Sequence, residues 1–215
     1  AVTDKTDQPQ DLFEDYHEVS ISKKDVFGLK TLSPAKLLQN KEHLDPEIKA
    51  KYPLAREFGV YVHKLFEQAL LKEDFDRKDY WCSLVDSVDN ETKMKWFDIA
   101  NEHFDSSYSS EAFQSIIDSA EKLWVEQNVI HANKDNELVR GTIDLLLKRK
   151  DGSYAIVDYK TTPEANYTDD LTSLARSHKY HKQLGAYKSA ITEILEVSDI
   201  DSYVYFTYKS SLVKL

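Results

Sequence analysis

Two carboxylates and a lysine lie in the most β-rich stretch of this chain: Asp144 within GTIDLLL, and Asp158-Tyr159-Lys160 within VDYKTT. The acid-x-lysine tripeptide alone carries no information, since Glu47-Ile48-Lys49, Asp76-Arg77-Lys78 and Glu91-Thr92-Lys93 match it equally well. Context separates the Asp158 copy. It falls in a stretch that reads as a buried strand, where charge is costly unless it has partners or a task. Side chains alternate along a strand, so Asp158 and Lys160 share a face. The two β-rich runs, 137–149 and 153–162, flank Lys150-Asp151-Gly152, a hairpin signal. A two-residue turn would set Asp144 against Tyr159, on the wrong face. A three-residue loop with Gly152 at its left-handed position sets Asp144 opposite Asp158, and Gly152 stands where that loop needs its glycine. Carboxylates this close repel unless a cation lies between them. Hard oxygen donors suit Mg²⁺ or Mn²⁺, which polarise a phosphoryl oxygen and acidify a bound water. Lys160 would orient that water or stabilise charge on the phosphate. The alternative for the same residues is a buried structural Asp–Lys pair.

The elements that must hold these groups follow from periodicity. Phe58, Val62, Leu65, Phe66, Ala69 and Leu70 fall three and four apart and predict an amphipathic helix, with His63 beside its apolar stripe and Glu67 one turn on. His63 reads equally as a boundary residue. Further helices are expected around 93–104, over 110–127 (Phe113, Ile116, Ile117, Ala120, Leu123 and Trp124 on one face) and over 178–197. On the last, Gln183 and Tyr187 are four apart and share a face, which plain packing would also explain. Ser33-Pro34 signals a short helix through Leu37 and Leu38, residues 203–208 a closing strand, and residues 1–20 a polar arm or linker. Residues 21–215 then form one domain: a mainly helical part, 21–130, and a part with the hairpin, late helix and closing strand, 131–215. The order of helices, strands, helix and strand indicates an α/β fold with a small sheet flanked by helices.

Composition narrows the function. With 215 residues the chain is long enough for one well-buried core. No apolar run is long enough to span a bilayer, and no P-loop is present. A single cysteine, Cys82, excludes a disulfide framework and a four-cysteine cluster supplied by this chain alone. The net charge of -10 argues against a passive nucleic-acid coat, but a metal-binding carboxylate site is itself acidic. The run Arg176-Ser177-His178-Lys179-Tyr180-His181-Lys182 holds no acid, and Lys148-Arg149-Lys150 adds charge at the hairpin tip. Arg176, Lys179 and Lys182 could contact phosphates, with Tyr180 or His181 stacking on a base, or the run could be a solvated helix start. Trp81 and Trp96 have no assignment from sequence.

GTIDLLL, VDYKTT and Gln183-x-x-x-Tyr187, with His63 in an upstream helix, resemble the RecB-type branch of the PD-(D/E)XK nucleases. The resemblance covers about residues 56–210 and lies nearest the C-terminal nuclease domains of bacterial helicase–nucleases such as RecB and AddA. It implies a restriction-endonuclease-like core with a small mixed sheet. It also implies metal ligation by His63, Asp144, Asp158 and the Tyr159 carbonyl, a catalytic Lys160, and Gln183 and Tyr187 lining the site. The lack of a four-cysteine iron–sulfur staple points toward the AddA or RecB side. The implied activity is a Mg²⁺- or Mn²⁺-dependent DNA exonuclease acting on single strands or duplex ends in recombination or break repair. A helicase motor in the same or a partner chain, and a bacterial or phage cytoplasmic setting, go with it. The rival readings are a restriction-type endonuclease of the same fold and an inactive module that binds DNA or a partner.

Overall fold

Capping chemistry starts most of the helices. The computed structural model describes residues 30–33, 45–132 and 137–215; the arm over 1–20 and the helix expected after Ser33-Pro34 lie outside them. Asp45 accepts the Glu47 amide at 2.8 Å and opens α1 (Pro46–Lys51). Asp76, Asp89 and Ser110 open α3 (Arg77–Leu84), α4 (Asn90–Tyr108) and α5 (Glu111–Asp118) in the same way, each side chain taking an amide that a helix start leaves unpaired. Between α1 and α3 runs α2 (Ala55–Leu71), which buries Phe58, Tyr61, Val62, Leu65 and Phe66, the stripe expected from spacing.

The helix expected over 110–127 is a helix only to Asp118. Residues 120–132 form β2 (Ala120–Ala132), antiparallel to β3 (Glu137–Arg149). The apolar spacing of three and four continues past Ser119, but Val125, Val129 and Ile130 favour an extended chain, and β3 offers a full ladder of partners. β4 (Tyr154–Lys160) pairs antiparallel with β3, and β5 (Ile200–Phe206) pairs parallel with β4. A further strand follows the expected closing one: β6 (Ser211–Lys214), antiparallel to β5. A short β1 (Lys30–Leu32) also pairs with β3, completing a mixed six-stranded sheet. The polar stretch after Pro163 folds into a 3₁₀ turn (Pro163–Tyr167) and α6 (Leu171–Ser177), and the late helix is α7 (Tyr180–Leu195). The fold is thus the α/β class expected, helices flanking a mixed sheet.

The two faces of the sheet differ. Leu145, Leu147, Ala155, Val157, Tyr159 and Tyr205 meet an aromatic core with α2, α4 and α5, in which Phe66 stacks on Tyr159 at 4.7 Å and packs edge-on to Phe113 at 4.9 Å. Trp81 belongs to this side: its ring packs on Tyr61 and its indole N–H donates to the Lys93 carbonyl at 2.8 Å. Trp96 packs against Tyr52 and Phe58. On the other face lies α7, packed across β2, β3, β4 and β5. Alternation sends Asp144, Asp158 and Lys160 toward that second face.

Candidate functional site

The hairpin register fixes the first pair of acids. β3 and β4 pair from Lys148 with Tyr154 to Leu145 with Val157. Arg149 N–H donates to the Ser153 carbonyl at 2.7 Å, so Lys150-Asp151-Gly152 is a three-residue loop, with Gly152 left-handed at φ +87°. The same register continued by one residue sets Asp144 opposite Asp158. There the ladder ends. Asp144 Oδ2 accepts the Tyr159 amide at 2.7 Å, so a side chain takes the place of a strand partner as the two strands part.

On its other flank Asp144 faces a residue that its sequence context does not single out. β2 pairs Val125 with Leu145 and Gln127 with Ile143, which puts Glu126 opposite Asp144. Glu126 takes a left-handed backbone at φ +50°, a strained state for a non-glycine residue in a strand. His63 arrives from α2, with Nδ1 3.6 Å from Asp144 Oδ2. Gly59, one turn earlier on the same side of the helix, permits that approach: a Cβ there would meet Thr161 Oγ1 at 2.7 Å. His63, Glu126 and Asp144 each offer a ligand atom within 4.8 Å of the others. Two carboxylates at that separation repel by about 3 kcal/mol at an effective dielectric of about 20. A proton or a cation must offset this. Burial, with Asp144 and Glu67 nearby, pushes the Glu126 carboxyl up to about 7. The donor set, carboxylates with one imidazole, fits Mg²⁺ or Mn²⁺.

Asp158 lies beside this trio rather than within it. Its carboxylate is buried, and Oδ2 is 2.6 Å from Lys160 Nζ. Burial raises its pKa, Lys160 opposes that, and Asp144 adds to it. Lys160 is held from several sides. Its Nζ donates to Gln183 Oε1 at 3.2 Å and sits 4.8 Å from the centre of the Tyr180 ring. Its carbonyl accepts from Thr207 Oγ1 at 3.3 Å, and Thr207 Oγ1 in turn lies 2.9 Å from Nε2 of the buried His103. Tyr187 hydrogen-bonds Gln183 and the Thr142 backbone; burial, with Asp158 and Asp144 nearby, raises its hydroxyl to about 12. Gly141 makes room for it, since a Cβ there would come within 2.5 Å of Tyr187 Oη. His63, Asp144, Asp158, Lys160, Gln183 and Tyr187 are therefore gathered at one end of β3 and β4, where the strands part.

The basic run divides. Arg176, His181 and Lys182 are exposed and Lys179 half-exposed at the start of α7. Tyr180 is buried, and its hydroxyl lies 2.8 Å from Thr162 Oγ1 and 3.1 Å from His178 Nδ1. A ring so enclosed has no face for a base to stack on, so Tyr180 serves as a wall beneath Lys160 and not as the stacking residue expected. The hairpin-tip cations are also committed: Lys148 to Glu121 at 2.9 Å, Arg149 to Asp201 at 2.9 Å and Lys150 to the Asp118 carbonyl at 2.7 Å. Glu67 pairs with Lys64 at 2.8 Å. Two open depressions share His63. One is lined by Lys64, Glu67, Tyr80 and Glu126, the other by Arg56, Lys160, Thr161, Thr162 and Tyr180.

Comparison with known proteins agrees with the arrangement. The family model described as the PD-(D/E)XK nuclease superfamily matches residues 37–213. A subunit of the ATP-dependent helicase/deoxyribonuclease of Streptococcus mutans serotype c, of the AddB kind, is 27% identical over 166 residues, 72% of this chain and 15% of that protein. Its counterpart in Streptococcus pyogenes serotype M3 is 30% identical over 122 residues, 52% of this chain and 11% of that protein. The chain thus spans about a seventh or less of the length of these relatives. Both are AddB proteins, whereas the missing cysteine staple points toward AddA or RecB.

Proposed function

The chain belongs to the PD-(D/E)XK nuclease superfamily, and from that premise we propose that it is a metal-dependent deoxyribonuclease. It hydrolyses phosphodiester bonds by attack of water, working from the ends of single-stranded or frayed DNA in recombination or break processing. Residues 21–215 act as the nuclease domain of a helicase–nuclease in the bacterial cytoplasm. The observation that carries this reading is the position of Lys160: an ammonium group held by Asp158 and Gln183 at one end of the sheet, where Asp144, Glu126 and His63 also converge. A divalent cation held there by Asp144, Glu126 and His63, with Asp158 alongside, supplies a polarised phosphoryl oxygen and a bound water of lowered pKa. The protein's own groups do the rest. Lys160 stabilises negative charge on the phosphate, Gln183 fixes the direction of its ammonium, and Tyr187 holds Gln183. The names of the S. mutans and S. pyogenes relatives support the choice of DNA and the pairing with a motor.

Incubation with Mg²⁺ or Mn²⁺ and either linear or closed circular single-stranded DNA tests the proposal. Wild type should degrade the linear form and spare the circle, and Lys160→Ala, still folded by circular dichroism, should do neither. Rapid cutting of circles would favour the restriction-type reading. No metal-dependent cleavage of either form by wild type would leave a binding module.

A further inference from the structure

The depression that Lys160 shares with His63 leads away from the acids. It encloses about 360 Å³, within the range of about 300–1,000 Å³ typical of small-ligand sites, and two cations, Arg56 and Lys160, stand on its wall against one acid, Glu164. Glu164 belongs to the 3₁₀ turn that continues from β4 through Thr161 and Thr162. In a 3₁₀ turn residues three apart eclipse one another, so Tyr167 stands directly beyond Glu164 on the same side. Tyr167 is 52% exposed, and Lys51 Nζ lies 5.4 Å from its ring centre. It is also braced. The Tyr52 hydroxyl hydrogen-bonds Tyr167 and accepts from Asn166 Nδ2 at 3.1 Å. Tyr52 is itself wedged against Tyr208 at 5.7 Å and Trp96 at 6.2 Å. The fold therefore holds a large aromatic ring in water, beside cations, at the exit of the Lys160 depression. Among the described residues no other aromatic ring is exposed to this degree.

We propose that Tyr167 is a base-stacking platform for single-stranded DNA, with Arg56 and Lys51 taking the phosphates on either side of the stacked nucleotide. The inference rests on the nuclease reading and deepens it by giving the strand a path from the cleavage site to an aromatic rest. Stacking on an aromatic ring tolerates any base, as an enzyme without sequence preference requires, and contributes about 1–3 kcal/mol per base.

Fluorescence anisotropy with the whole chain in chelator tests this. The probes are a labelled oligothymidylate of about 12 nucleotides and an abasic oligomer with the same number of phosphates. Tyr167→Ala should weaken oligothymidylate binding about tenfold, equivalent to about 1.4 kcal/mol, and leave the abasic oligomer within about twofold. Tyr167→Trp should hold or exceed wild-type affinity, and Arg56→Ala should weaken both probes alike. An equal effect of Tyr167→Ala on both probes, or none on either, overturns the platform. Cleavage measured on the same wild-type preparation separates the two failures: a wild type that cleaves while Tyr167→Ala binds normally sinks the platform alone, and a wild type that neither cleaves nor binds sinks both readings.

Discussion

Both ends of the sheet carry a cluster of charge, and they are built to opposite specifications. Near the hairpin tip, Asp201 is met by Arg149 at 2.9 Å, Lys214 at 2.5 Å and the Tyr203 hydroxyl at 3.0 Å. Burial would raise its pKa, but hydrogen bonds from Lys214, Arg149 and Tyr203 outweigh it and hold the carboxyl below its ordinary value. At the far end Glu126, Asp144 and Asp158 face one ammonium and one imidazole, and both Glu126 and Asp158 are driven upward. The tip is neutralised by its own residues. The parted end keeps a surplus of negative charge that only a proton or an external cation can balance. Imbalance, and not density of charge, marks the end of the sheet where chemistry is expected.

The sharpest way to break that contrast is to neutralise one acid at each end. Asp158→Asn should lower single-turnover cleavage on the order of a thousandfold and Glu126→Gln by about 10–100-fold, with folding retained. Asp201→Asn should leave cleavage intact and cost about 1 kcal/mol of stability in urea, since its partners are partly solvated. A comparable loss of cleavage at Asp201 would erase the distinction. Next in size is the packing that supports the reactive end. Gly141→Ala drives a methyl into Tyr187 Oη and should destabilise by about 1–3 kcal/mol with a matching loss of cleavage. Adding Tyr187→Phe, which removes the clashing oxygen, should restore the urea midpoint but not the activity.

The smallest effect concerns pH. Burial holds the His103 imidazole down to about 4, against an ordinary 6.5. The unfolded chain therefore takes up this proton first as pH falls. The contribution is complete above about pH 6.5 and is lost as pH falls toward 4, amounting to at most about 3 kcal/mol. Glu126 and Asp158, with raised values, act in the opposite sense. The quantity to measure is hence the difference between wild type and His103→Gln in urea midpoint at pH 7 and pH 5. An equal drop in both proteins would remove His103 from the account.

Much of this was legible from residue types because a few local rules have few solutions. Gly152 at the third position of the loop fixes the parity of the hairpin, and with it the face of Asp144 relative to Asp158. Helical spacing likewise places Gln183 and Tyr187 together. Glu126 escaped because its role depends on β3. The apolar spacing from Phe113 to Trp124 reads as one helix, and only a strand partner distant in sequence turns its second half into β2 and points a glutamate at Asp144. Tyr180 misled for a similar reason. Its neighbours are all polar, and its burial comes from Thr162 and Phe206. The capping acids before α3 and α6 were visible, but helices so short leave little periodic signal.

The loop from Lys150 to Gly152 lies at the surface and contacts none of the reactive groups, yet its length behaves as a catalytic parameter. One residue more or fewer would turn every downstream side chain of β4 over, and Lys160 would end among the aromatic rings while Tyr159 took its place. Two would preserve the faces but slide the acids past one another. Surface loops are ordinarily where a protein accepts length variation most freely. Here that freedom is withheld, so drift in this family should leave its insertions elsewhere and treat this bend as a fixed gauge.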